Sequence, residues 1–125
     1  MSRFLICKHC GNLVGMIESS GAPMICCGEE MSELVAGSTD AVKEKHVPTV
    51  SVSGDTVTVN IGSVPHPMDE SHLIKWVYLR TDAGGHRKNL THENKPTVEF
   101  ALKKEQAIAV YAYCNLHGLW KTELF

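Results

Sequence analysis

Val47-Pro48-Thr49-Val50-Ser51-Val52-Ser53-Gly54-Asp55-Thr56-Val57-Thr58-Val59-Asn60-Ile61 alternates apolar and polar side chains over most of its length and breaks once, at Ser53-Gly54-Asp55. A period of two puts Val57, Val59 and Ile61 on one face of an extended chain and Thr56, Thr58 and Asn60 on the other, and β-branched residues favour that conformation. The segment therefore predicts two antiparallel strands joined by a hairpin turn. The same signal recurs downstream. His72 to Arg80 is rich in Ile, Trp, Val and Tyr and is closed by Asp82-Ala83-Gly84-Gly85. Val98, Phe100 and Leu102 alternate with Thr97, Glu99 and Ala101; Ile108, Val110 and Ala112 alternate with Ala107, Ala109 and Tyr111; Leu119 to Phe125 adds a last strand. Several short strands separated by regular turn signals over residues 41–125 predict a small antiparallel β-sandwich. No long amphipathic helix, internal repeat or low-complexity tract interrupts them.

Upstream the text changes character. Residues 1–36 are punctuated by Cys7-Lys8-His9-Cys10-Gly11, Gly21-Ala22-Pro23 and Cys26-Cys27-Gly28. A segment this short buries too little apolar surface to hold itself together and needs a staple. Ala36-Gly37-Ser38-Thr39-Asp40 reads as a connection, with residues 37–40 as the linker proper. The whole chain has 125 residues, 43% hydrophobic and 21% charged, with a net charge of -2. No basic cluster recommends nucleic acid or an anionic membrane as a partner, and no run approaches the ~20 apolar residues that span a bilayer. The first ten residues lack the features of a signal peptide, so a cytoplasmic location is the expectation.

Five cysteines is an odd number, and four of them fall within the first 27 residues. Metal ligation fits that distribution better than a disulfide framework. In Cys7-x-x-Cys10 the two intervening residues let both sulfurs reach one ion, and Cys26 and Cys27 supply a second pair after fifteen intervening residues. Four thiolates point to one tetrahedral site for zinc or iron. The vicinal pair must splay its sulfurs, which distorts the tetrahedron. His9, between two of these cysteines, reads as a solvent-facing loop residue.

The fifth cysteine sits in Cys114-Asn115-Leu116-His117-Gly118, at a predicted strand end. Histidines occupy other strand ends: His46 just before Val47-Pro48, His66 held stiffly between Pro65 and Pro67, and His72 six residues on. Loops at one end of a sandwich converge, so these side chains can surround a single ion. His86 and His92 lie in polar text, Gly84–Asn89 and Thr91–Lys95, and read as surface loop residues.

Together, Cys7-x-x-Cys10 with Cys26-Cys27, Glu44-Lys45-His46, His66-Pro67 with His72, and Cys114-Asn115-x-His117-Gly118-x-Trp120 resemble the desulfoferrodoxins, the two-iron class of superoxide reductase, over essentially the whole chain. The resemblance implies a desulforedoxin-like four-cysteine iron domain followed by an immunoglobulin-like sandwich. It implies two mononuclear irons, one on Cys7, Cys10, Cys26 and Cys27. The other would lie on a base of His46, His66, His72 and His117 with Cys114 as axial thiolate and the sixth position open. It further implies that Lys45 steers superoxide, that Glu44 closes over the metal after turnover, that the protein is a homodimer, and that a reduced carrier such as rubredoxin supplies electrons. Pro48 and Trp120 read as structural. Two other readings compete on the residues alone. A cupredoxin-like electron carrier needs a weak axial ligand, usually Met, which Gly118 to Phe125 does not contain. A zinc-stabilised binding module explains the four cysteines and leaves the histidines without a role.

Overall fold

A computed structural model describes residues 2–38 and 43–124; the side chains of Lys43 and Glu44 lie outside the described set. The chain forms two compact units, Met1–Val35 and Ala36–Phe125.

In the first unit, β1 (Arg3–Ile6) pairs antiparallel with β2 (Leu13–Met16) on one side and with the two-residue β5 (Ser32–Glu33) on the other. A second ladder joins β3 (Ile25–Cys26) to β4 (Glu29–Glu30). The turn between them is Cys27-Gly28, both with positive φ (52° and 74°). That is the backbone of a two-residue turn matched to the twist of a hairpin, and the glycine makes its half free of strain. The core of this unit is small: Leu5, Cys7 and Met31 are buried, with Val14, Met16 and Cys26 packed against them.

The second unit begins with a single helical turn, α1 (Lys43–His46), and continues as two sheets. One has the order β10-β7-β6, from β6 (Pro48–Ser53), β7 (Thr56–Ile61) and β10 (Thr97–Ala101). The other has the order β12-β11-β8-β9, from β8 (Ile74–Thr81), β9 (Gly84–Asn89), β11 (Ala107–Cys114) and β12 (Gly118–Glu123). Every pairing is antiparallel. The expected hairpin is present, with Ser53 opposite Thr56 and Gly54 at φ 58°. Val57, Val59 and Ile61 from β7, Val98 and Phe100 from β10, Ile74, Val77 and Leu79 from β8, and Val110, Ala112 and Cys114 from β11 fill the space between the sheets. The fold is the mainly β, antiparallel sandwich that the alternation predicts, immunoglobulin-like as the family resemblance implies.

Two local departures matter. Gly84–Asn89, read as polar loop, is the edge strand β9, paired with β8 from Thr81↔Gly84 to Trp76↔Asn89. Its side chains are largely exposed and so carry no alternation; the backbone of β8 recruits them. The ladder between β8 and β11 also shifts register twice, between Ala107 and Ala109 and between Tyr113 and Cys114. At the second shift Tyr113 faces Trp76 while Cys114 faces Ile74. The extra residue on β8 turns both Ile74 and Val77 inward, which strict alternation forbids, and it bends the strand end beside Cys114. Among the described residues no helix is long and apolar enough to cross a membrane.

Candidate metal centres

In the first unit the sulfurs of Cys7, Cys10, Cys26 and Cys27 gather within 4.8 Å of one another, and none is in a disulfide. The Cys7–Cys10 loop is closed by Gly11 N–H donating to Cys7 O (2.9 Å) and Cys7 N–H donating to Asn12 O (2.8 Å). Gly11 has a φ of +82°, which glycine adopts without strain. N–H groups face the sulfurs: Cys10 N–H donates to Cys7 Sγ (3.5 Å) and the Asn12 amide to Cys26 Sγ (3.6 Å). The left-handed backbone of Cys27 is what splays the vicinal pair. Without a cation the four thiols compete for charge. The Cys10 backbone N–H is the main influence drawing the Cys7 thiol down to about 6, whereas hydrogen bonds with Cys10 and then Cys7 push Cys27 up to about 12. A divalent ion relieves that competition. The Sγ–Sγ separation of Cys10 and Cys26, 3.5 Å, is close to the ~3.8 Å edge of a tetrahedron built on ~2.3 Å metal–sulfur bonds. Cys10 and Cys27 are exposed and Cys7 is buried, so the cluster sits at the surface of its unit. His9 is exposed, as read from sequence, and pairs with Glu29 of β4.

The second unit brings its histidines together at one end of the sandwich. His46 ends α1, His66 and His72 lie in the connection from β7 to β8, Cys114 ends β11, and His117 sits in the turn into β12. The rings form a square. Centroids are 4.7 Å apart for His46–His66, 4.8 Å for His66–His72, 5.0 Å for His72–His117 and 4.9 Å for His117–His46, while the His46–His72 diagonal is 6.5 Å. Neighbouring rings stand nearly perpendicular, at 76° to 90°. His66 Nε2 and His72 Nε2 are buried without a hydrogen-bond partner. Such orphans are costly and mark atoms meant for a ligand outside the chain. His46 Nε2 and His117 Nδ1 are 3.1 Å apart, about the ~3 Å between two nitrogens each ~2.1 Å from one ion at right angles. Cys114 is fully buried, a member of the core, with its sulfur 3.9 Å from His117 Nδ1; it closes the square from the interior side. The donor set and its spacing fit a redox-active iron.

Surrounding groups hold the rings in place. His66 Nδ1–H donates to Pro67 O at 2.6 Å, which leaves Nε2 with its lone pair. Burial, followed by the neighbouring histidines, carries His66 down to about 4, and burial first and His117 second lower His72. Both are therefore neutral and competent to ligate at pH 7. Trp120 stacks on His46 (4.9 Å, 27°) and donates Nε1–H to His117 O at 3.1 Å, joining two site residues 71 positions apart. Asn115 accepts from Leu73 N–H (3.0 Å) and donates to Ser71 O (2.9 Å), clasping the β11–β12 turn to the segment that carries His72. Trp120 has the structural role read from the sequence, whereas Asn115 was given no work there; its place beside Cys114 was the only signal. Lys45 is exposed, and its charge reaches His72, one of the influences lowering that ring. Glu44 lies in α1, but its side chain is outside the described residues. His86 and His92 join neither cluster; they face Glu105 (3.3 Å) and Glu70 (3.5 Å).

A sandwich with a buried thiolate under a square of four imidazoles, together with a separate four-cysteine cluster, defines a non-haem metalloprotein with two mononuclear centres. The family model described as desulfoferrodoxin matches residues 38–123. The desulfoferrodoxin of Nitratidesulfovibrio vulgaris is 42% identical over 117 residues, 94% of this chain and 92% of that protein. A desulfoferrodoxin homolog of Archaeoglobus fulgidus is 40% identical and covers 93% of this chain and 92% of its own length. The crystal structure of the superoxide reductase from Treponema pallidum superposes with a TM-score of 0.83 at 39% identity, covering 98% of this chain and 99% of that one. The chain belongs to the desulfoferrodoxin family.

Proposed function

We propose that this chain is a superoxide reductase that converts superoxide to hydrogen peroxide with one electron and two protons and without releasing oxygen. The observation that carries this reading is the square of His46, His66, His72 and His117 closed beneath by the buried Cys114. Its support from relatives is the superoxide reductase of Treponema pallidum, alike over nearly the whole length of both chains. Those five residues are assigned to hold the catalytic iron, and Cys7, Cys10, Cys26 and Cys27 the second. Bound iron would supply the electron to superoxide and a positive charge to attract it.

The residues of the chain do the rest. Neutral imidazoles would leave the charge of a bound metal ion largely uncancelled, since only one thiolate would offset it, and that would favour capture of a small anion. Cys114, fixed in the core, would hold the iron through its thiolate and supply it with electron density, as thiolate ligands do in haem enzymes. Lys45, exposed and within electrostatic reach of His72, draws the anion in and orders the water that delivers protons. Glu44 is the carboxylate assigned to cover the site between turnovers. A reduced carrier protein such as rubredoxin restores the electron, the second centre serves electron transport or stability, and the protein works as a homodimer in the cytoplasm.

Stopped-flow mixing of the reduced protein with superoxide tests the activity. One peroxide is expected for each superoxide consumed, with no oxygen evolved. Oxygen released at half the superoxide consumed, the stoichiometry of dismutation, contradicts it.

A further inference from the structure

The four-cysteine cluster has a side-chain partner that no functional reading has used. Asn12 follows the Cys7–Cys10 loop, and its amide nitrogen lies 3.6 Å from Cys26 Sγ as a donor. Its backbone carbonyl accepts from Cys7 N–H at 2.8 Å, so the residue is anchored to one half of the cluster while its side chain reaches the other. Cys26 is on β3, and Cys27 is in the turn that follows. The adjacent sulfurs therefore meet different surroundings. Cys26 receives an N–H from a side chain; Cys10 and Cys27 are open to solvent. We propose that Asn12 is a positioning residue of the N-terminal centre: its amide N–H on Cys26 Sγ holds one sulfur of the vicinal pair and raises the reduction potential of the metal bound there.

The physical reason is charge. A thiolate ligand carries more negative charge when the iron is ferrous, because less is donated to the metal. An N–H dipole aimed at the sulfur thus stabilises the ferrous form more than the ferric one. Cys7 Sγ has a comparable donor, the Cys10 N–H at 3.5 Å, but that is backbone and survives most substitutions. The Asn12 amide is a donor that a single substitution removes while leaving the backbone contact to Cys7 in place.

The inference rests on iron occupying the four cysteines, which metal analysis of the same samples establishes independently. In the full-length, iron-loaded protein, the potential of the N-terminal centre is followed by spectroelectrochemistry for the parent, Asn12→Ala, Asn12→Ser, Asn12→Leu and Asn12→Asp. Asn12→Ala is expected to lower the reduced-to-oxidised ratio at the parent's midpoint by about tenfold, the scale of one hydrogen bond to a charged group, which for one electron is about 59 mV. Asn12→Asp, nearly isosteric but without the donor and negatively charged, shifts it further, while Asn12→Ser, which keeps a hydroxyl donor, falls between parent and Ala. The catalytic centre in the same molecules keeps its potential. Parent-like potentials in both Ala and Asp overturn the proposal. If Asn12→Ala fails to retain iron, Asn12→Ser and Asn12→Leu decide, the latter near the parent's size but with neither donor nor charge: Leu below Ser supports the proposal, and equal values overturn it.

Discussion

Lys45 and Gly85 show how single residues act through what lies beside them. Lys45 contributes a charge to the centre, and its influence on His72 is electrostatic. Such an influence acts on the encounter with an anion and weakens with salt. Lys45→Ala is expected to slow the bimolecular reaction with superoxide by about tenfold at low ionic strength, to leave iron content intact, and to lose most of its effect in high salt. Rapid-mixing rates across a salt series check this, and an unchanged low-salt rate removes Lys45 from the mechanism. Gly85 is a matter of space instead. A Cβ at this position of β9 would lie 1.9 Å from the hydroxyl oxygen of Tyr78 and 2.2 Å from its Cζ. Gly85→Ala is expected to destabilise the protein by about 1–3 kcal/mol, as overpacking does, read as a shift in the denaturant midpoint.

Elements in the sandwich are tied at both ends, by different chemistry. At the metal end, Asn115 and the β8 bulge set the directions of Cys114 and Ile74. Toward the other end of β8, Thr81 at the strand terminus is buried and donates its hydroxyl to Glu105 Oε1 at 2.6 Å, joining β8 to the β10–β11 connection. Gln106 N–H donates to Asp82 at 2.9 Å beside it. The Thr81 hydroxyl, and after it His86, holds the Glu105 carboxyl below the ordinary carboxylate range; burial and Asp82 oppose this. A carboxyl whose folded value is depressed stabilises the fold above its unfolded value, and that contribution is lost as the pH falls through the folded value. Thr81→Val is expected to bring the Glu105 midpoint, followed by NMR, back up toward the ordinary range and to flatten the acid limb of stability against pH. An unmoved Glu105 midpoint contradicts the role given to the hydroxyl.

For the molecule as a whole, the two units stand on unequal foundations. The sandwich buries a continuous core between its sheets, while the N-terminal unit buries Leu5, Cys7 and Met31 and little else around its cysteines. Chelation of both metals is therefore expected to abolish amide exchange protection over β1 to β5 and to leave β7, β8 and β11 protected. Protection retained in the N-terminal strands would show that its metal is not a staple. This asymmetry also explains what the sequence disclosed. Val57, Val59 and Ile61 announced their strand because one face is buried and the other wet. Arg3–Ile6 and the two-residue strands of the first unit alternate over too short a length to be read, and β9 hides because its side chains face solvent. The ligand residues were legible as types at spacings. The square they make, the buried orphan nitrogens and the clasp by Asn115 join residues far apart in the chain, which no periodicity encodes.

His46 and His117 sit side by side although 71 positions separate them, with Trp120 bridging both. No short piece of the second unit contains the whole nest of nitrogens, so its metal can be taken up only after both sheets have closed on each other. Uptake there is expected to come late, whereas the four sulfurs lie within 21 consecutive residues, a short loop that an ion could close while the chain is still assembling. A cell short of iron would thus accumulate molecules filled at the first centre and empty at the second.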